Sequence, residues 1–420
     1  MWLRLDNAAK IYPAARSKTW SNLYRLSVNL TEEIDKPLMQ AALDDTVGRF
    51  PSVAARLRRG VFWYYLQQLE KAPQIREELS YPLERMSRAE ARKCPFRVIV
   101  YKNRVALEMF HSLADGYGSL TFFLTFVAEY LRRKYGAQIP YGGYIMSISD
   151  TPKPEELEDS FQKYAGPVGG KDKEDNAWRL RGTPEPDGFL NSTSFVLDTN
   201  SIKEKAKQCG VSVTAYMTAI MLDSLQHLQA ACVPNPRRRK PIKVQVPVNL
   251  RQLFPSKTLR NFAYFTTPQL DTKAGEYSFP EICKLVHHWM GLEITHKKMA
   301  RIIASNVGIE KLLVVKLLPL FVKNVIMKAA FITQGERKSC LSMSNLGLVK
   351  LPEEMDCYVE RVEAILGVQS TAPYNCSVIS HRDKMYLSII RNTKEPQLEM
   401  AFFKALQRQG LNAEVSSNGK

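Results

Sequence analysis

Phe96-Arg-Val-Ile-Val-Tyr101, Lys102-Asn-Arg104, Val105-Ala-Leu-Glu-Met-Phe110 and His111-Ser-Leu-Ala-Asp115-Gly116 follow one another without a gap. The two apolar runs predict the strands of a hairpin that turns at Lys102-Asn-Arg104. Residues 120–135 predict an amphipathic helix. His111 therefore stands where a buried strand stops and an Asp-Gly turn begins, held from behind with its tip free to face a cavity. A neutral imidazole, with an ordinary pKa of about 6.5, is well suited to take a proton near neutral pH. The competing reading is a strand-end histidine before an ordinary Asp-Gly turn.

Working outward, residues 36–47 read as a helix leading into Arg49-Phe-Pro-Ser-Val53. Residues 149–188 carry Pro152, Pro154, Pro167, Gly169, Gly170, Pro184 and Pro186 with dense charge and few aliphatics. That composition predicts a long exposed connection. Beyond it, strands are expected near 192–197, 243–248, 262–270, 339–344, 360–366, 375–380 and 385–390. Helices are expected at 213–228, 279–307 and 397–407. The result is a mixed α/β (α+β) chain divided into 1–150, a connection at 151–188, and 189–420, without an internal sequence repeat.

With 420 residues, 45% hydrophobic and 24% charged, the chain can bury two sizeable cores. Its net charge of +17 favours anionic partners: a phosphorylated co-substrate, an acidic carrier protein or anionic lipid. Nucleic acid is the weakest of these readings, because no basic arm, zinc pattern or helix-turn-helix spacing is present. Seven scattered cysteines, none in a C-x-x-C pair, predict reduced thiols and no metal site. Met1-Trp-Leu-Arg-Leu-Asp6 lacks the apolar core of a signal peptide, so a cytoplasmic protein is expected.

His111-x-x-x-Asp115-Gly116 at a strand end resembles the signature of the CoA-dependent acyltransferase superfamily. That group includes chloramphenicol acetyltransferase, alcohol acetyltransferases and the condensation domains of peptide synthesis. Branches that double the histidine differ here, where the first position is Phe110. Val244-Gln-Val-Pro-Val-Asn249-Leu-Arg251, followed by Asn261-Phe262, is similar to the family's downstream strand. Ser342-Met-Ser344-Asn345-Leu-Gly347 resembles its Ser-Asn-x-Gly strand, and Val213-Thr-Ala-Tyr-Met-Thr-Ala219 also looks like the family. The resemblance spans nearly the whole chain. It implies two chloramphenicol acetyltransferase-like α/β sandwich subdomains with the active site in a channel between them.

The resemblance also implies roles. His111 is the expected general base, passing an acceptor proton to the leaving thiol without a covalent acyl-enzyme. Asp115 is tempting as an orienting carboxylate. The family pattern instead pairs it with Arg251, leaving Asp115, Gly116 and Arg251 as structural support, with Gly116 supplying a backbone geometry unfavourable to other residues. Ser344 and Asn345, and Asn261 more weakly, are candidate oxyanion or substrate contacts; the alternative is a strand running into a turn. Arg237, Arg238, Arg239 and Lys240 form either a contact for CoA phosphates or a carrier protein, or a solvated loop.

Residues 309–332 are largely apolar, with Lys311, Lys316, Lys323 and Lys328 spaced through them and Pro319 in the middle. These interruptions exclude a spanning helix and leave three readings: a membrane-surface segment, a core-facing helix pair or a cover over an acyl pocket. His227, His287, His288, His296 and His381 read as structural or solvated. There is no G-x-S-x-G elbow, P-loop or dinucleotide fingerprint.

The expected activity is acyl transfer from acyl-CoA or an acyl carrier protein to a small alcohol or amine, by a monomer with no tightly bound cofactor. The alternatives are a non-catalytic binding or scaffold protein of the same fold, and a stand-alone, amide-forming condensation enzyme.

Overall fold

Phe96–Tyr101 and Arg104–Phe110 pair antiparallel in the computed structural model, which describes residues 1–15, 22–167, 169–170, 174–369 and 372–419. Lys102 turns the hairpin with a left-handed φ of 50°. Among the described residues, Arg104–Phe110 is the middle strand of a five-stranded sheet ordered Val359–Leu366, Leu23–Leu30, Arg104–Phe110, Phe96–Tyr101, Arg76–Glu77. The helices Lys36–Val47 and Gly116–Tyr135 bury Met39, Leu43, Phe122 and Phe126 in the core of this half.

The larger sheet runs Ala263–Thr266, Ile242–Asn249, Leu341–Val349, Tyr374–His381, Lys384–Arg391, Asn191–Asp198, Ala413–Ser417. Leu341–Val349 lies parallel to both of its neighbours. The helices Val213–Cys232 and Gln397–Arg408 contribute Leu222, Leu225, Phe402 and Leu406 to the core of this half. A small third sheet, Trp2–Arg4, Tyr64–Gln68 and Ala55–Arg59, escapes the sequence reading.

Several boundaries differ for identifiable reasons. The helix expected from residue 120 begins at Gly116, because the Asp115 side chain accepts from the Gly118 N–H and caps it. The 279–307 region is two helices, Phe279–Glu293 and His296–Lys311, the second capped by Thr295. The 262–270 strand breaks into Ala263–Thr266 and Gln269–Leu270 around Pro268, which has no N–H to give a ladder.

The connection at 151–188 is not simply exposed, although residues 168 and 171–173 lie outside the described ones. Glu156 pairs with Arg49 at 2.6 Å, both buried, and Phe161, Trp178 and Leu180 are buried. Large buried side chains, ion pairs such as Arg49–Glu156 and main-chain bonds such as that from the Trp178 N–H to the Pro241 carbonyl tie it down where aliphatics are scarce. The division at 188/189 also needs an exception. Val359–Leu366 belongs to the N-terminal sheet, where it pairs with Leu23–Leu30.

Residues 309–332 form the end of His296–Lys311, then Leu313–Leu317 and Leu320–Ala330. They are not a core-facing pair: Leu313–Leu317 buries no residue, and Leu320–Ala330 buries only Leu320 and Lys323. Among the described residues, no helix is long and apolar enough to cross a membrane.

Candidate active site

The strand Arg104–Phe110 ends inside the molecule and delivers His111 to the junction of the two halves. The His111 N–H donates to the Asn22 carbonyl at 3.0 Å. Its half-buried ring stacks on Tyr12 at a centroid distance of 4.6 Å and meets Tyr24 edge-on at 5.0 Å. The Tyr24 hydroxyl in turn donates to the Ala114 carbonyl at 3.0 Å, holding the loop that follows.

His111 Nδ1 lies 3.2 Å from Asn261 Oδ1. The orientation of that amide is set from its far side, where Asn261 Nδ2 donates to Asp6 Oδ2 at 3.3 Å. Asp6 is fully buried, accepts from the Ala9 N–H at 2.7 Å, and has Arg260 Nε at 3.7 Å. Two N–H donors and the Arg260 guanidinium thus face Asp6, while burial pushes its pKa up. With Asn261 presenting its oxygen, Nδ1 is the nitrogen that donates. Nε2 is left with the lone pair. Burial lowers the pKa of His111, so the ring is neutral at neutral pH.

Asp115 does not orient the histidine. Its Oδ2 accepts from Arg251 Nη1 at 2.7 Å and from the Phe262 N–H at 2.8 Å, while Oδ1 accepts from Gly118. Arg251 also donates to the carbonyls of Thr258 and Arg260 and to Asn249 Oδ1, and its guanidinium covers Tyr117 at 4.7 Å. This buried pair joins the His111 loop to the 258–262 segment, which carries Asn261.

Gly116 does not adopt a positive φ, contrary to expectation. A side chain there would meet only Leu346 Cδ2, at 2.4 Å, the far end of a side chain that can swing away. Gly118 is the demanding position. A Cβ there would lie 1.9 Å from the Leu259 carbonyl oxygen, main chain against main chain. Gly118→Ala is expected to destabilise the protein by about 3 kcal/mol, and Gly116→Ala by clearly less, as read from their urea unfolding midpoints.

The structure brings His111, Asp115, Gly116, Arg251 and Asn261 together. Ser344 and Asn345 lie on Leu341–Val349, where a bulge between Asn345 and Leu348, with Gly347 at φ 78°, leads to Leu346 against Gly116. Asn345 donates to Thr214 Oγ1 at 3.0 Å and accepts from the Gly347 N–H at 2.9 Å. Its amide therefore supports the bulge, and Ser344 is half-buried beside it. The strand does not end at a turn here; it continues to Val349.

The basic string lies elsewhere. Arg237, Arg238 and Lys240 are exposed before Ile242–Asn249, the full length of a strand, roughly 23 Å, from Arg251. Arg239 is removed from the candidate phosphate contacts: it is buried and donates to the Val233 carbonyl at 3.0 Å. Sequence reasoning missed Asp6, Tyr12 and Gly118. Only Gly118 had a visible signal, the second glycine of Asp115-Gly-Tyr-Gly118.

No protein-family model matches the chain, and no curated protein matches it in sequence. Solved structures do match over nearly its full length. Trichothecene 15-O-acetyltransferase TRI3 from Fusarium sporotrichioides superposes with a TM-score of 0.63 at 11% identity, covering 97% of this chain and 94% of that one. TRI101 of F. sporotrichioides, complexed with coenzyme A and T-2, gives 0.61 at 11% identity, with 98% and 99% covered. The condensation domain of the Monacolin K polyketide synthase MokA gives 0.58 at 10% identity, with 97% and 96% covered.

Proposed function

We propose that this chain, which has the fold of the CoA-dependent acyltransferases, transfers an acyl group from a thioester to an alcohol or amine, with His111 as general base. The observation that carries this reading is the chain Asp6–Asn261–His111, which leaves the basic lone pair on Nε2. Nε2 takes the proton of the acceptor O–H or N–H as that atom bonds to the thioester carbonyl carbon. The carbonyl π electrons move to oxygen, then return as the C–S bond breaks. The imidazolium gives its proton to the departing thiolate, so no acyl-enzyme forms and the histidine is regenerated. Asp115 and Arg251 hold the loop, and Asn261, oriented by Asp6, holds the tautomer.

Acyl-CoA is the proposed donor, supported by a structural neighbour that is complexed with coenzyme A. An acyl carrier protein is the other thioester of the same chemistry, and a condensation domain among the neighbours keeps amide formation within the proposal. The protein is proposed to act in the cytoplasm as a monomer.

The test is thiol release from acyl-CoAs of graded chain length, mixed with alcohols and amines. Acceptor-dependent release is expected. Absence of release with every CoA and carrier-bound donor would sink the reading. The pH dependence gives a second check. Because burial depresses the His111 pKa, the base stays unprotonated to lower pH, so the acid limb of kcat/KM is expected below about pH 6.5. An acid limb above that value would assign it to another group.

A further inference from the structure

The helices Leu313–Leu317 and Leu320–Ala330 turn Leu313, Val314, Leu317, Phe321, Val325 and Ile326 to the outside, with Val314 71% and Val325 70% exposed. From Lys311 to Gly335 there are four lysines and no acidic residue. Lys311, Lys316 and Lys328 are exposed among the apolar side chains. Lys323 is different. It is buried, donating to the Phe62 carbonyl at 3.0 Å and the Lys316 carbonyl at 3.2 Å, with its ammonium 3.6 Å from the Trp63 ring centre. The Leu320 N–H donates to the Val61 carbonyl at 2.9 Å, and Asn324 Nδ2 to the Tyr64 hydroxyl at 3.0 Å. These bonds latch the helices to the tip of the Ala55–Arg59/Tyr64–Gln68 hairpin, where Val61 and Phe62 are also exposed.

We propose that this face, the two helices with the hairpin tip, docks on an anionic lipid bilayer. An apolar surface studded with lysines, on a protein of net charge +17, suits a surface whose interior takes hydrocarbon and whose headgroups are negative. A second copy of the chain fits poorly, since a two-fold contact would set Lys311, Lys316 and Lys328 against a patch with no carboxylate to meet them.

Beside this face a cavity of about 600 Å³ opens, lined by Phe110, Pro13, Leu57, Arg58, Arg59 and Arg92, with Asn324 at the helix side. Phe110 is the residue before His111, and Pro13 follows Tyr12, which stacks on that ring. A docked bilayer would present a hydrocarbon-soluble substrate to this cavity, with the three arginines among the lipid phosphates. The substrate class is therefore an apolar acyl chain or acceptor held in a membrane, a statement that rests on the acyl-transfer reading.

The docking itself is tested without turnover, by sedimentation of the full chain with vesicles of phosphatidylcholine alone or with about one-third phosphatidylglycerol. Strong binding to the anionic vesicles is expected, at least tenfold weaker to the neutral ones. The L313E/V314E/F321E variant, altered only at exposed positions and checked for an unchanged melting curve, is expected to bind at least tenfold more weakly. Wild type left in the supernatant with both vesicles overturns the proposal, and so does a variant that binds as wild type does. Light scattering showing a wild-type dimer that the same variant dissociates, without vesicle binding, assigns the face to a second copy instead. If wild type binds and no thioester is turned over, the docking stands and the acyl-transfer reading falls.

Discussion

His111→Ala is expected to lower acceptor-dependent thiol release by about 10²–10⁴-fold, the range a positioned general base supplies. The ring's structural contacts are two aromatic faces and one amide, so the variant is expected to fold and to melt within a few degrees of wild type. Its binding of CoA is expected to be unchanged, because the loss falls on proton transfer. Steady-state kinetics beside a melting curve separates the two effects. A folded variant within tenfold of wild type would remove Nε2 as the base. Loss of activity together with a collapsed melting curve would instead mark the ring as part of the support.

Arg251→Ala is expected to destabilise the protein by about 3–5 kcal/mol, the cost of leaving a buried charge without its partner. Both side chains of the Arg251–Asp115 pair are less than 10% exposed. Removing the guanidinium leaves Asp115 with the Phe262 and Gly118 N–H groups but no counter-charge. It also frees the carbonyls of Thr258 and Arg260, which position Asn261. Arg251→Ala with Asp115→Ala is expected to cost less than the sum of the two single changes, as measured by a double-mutant cycle in urea. Additive costs would mean that the two residues act separately and that the loop is held by its main-chain bonds.

The parts of the fold that show in the sequence are those whose burial writes a local pattern. The hairpin of Phe96–Tyr101 and Arg104–Phe110 is legible because both strands are mostly buried and mostly apolar, and the Lys36–Val47 helix because its apolar face repeats every three to four residues. The Ala55–Arg59/Tyr64–Gln68 hairpin is hidden because arginine and glutamine fill it; Arg56 and Arg58 both bond Gln67 across the strands. Helices over 311–330 were ambiguous because apolar spacing alone does not say whether a face meets a core or something outside the chain. At the site, His111, Asp115 and Arg251 are legible through their motifs. Asp6 is not, because its contact with Asn261 joins residues 255 apart and no local pattern records such a meeting.

The Val359–Leu366 strand, lodged in the N-terminal sheet, has a consequence for how the protein is made. The edge of Leu23–Leu30 that it covers exists in the nascent chain as soon as residue 30 is synthesised, with Arg104–Phe110 taking the opposite edge much sooner. From Phe110 to Leu366 the ribosome must add a further stretch that takes roughly 13–51 s at 5–20 residues per second. For that interval the almost wholly buried strand Leu23–Leu30 offers an unpaired row of main-chain N–H and carbonyl groups, the template on which chains aggregate. Truncated products ending between residues 262 and 359 are thus expected to be insoluble or chaperone-bound even though their hairpin, helices and histidine loop have their other partners. Attempts to express the histidine-bearing half alone should carry residues 359–366 in trans or as a fused strand.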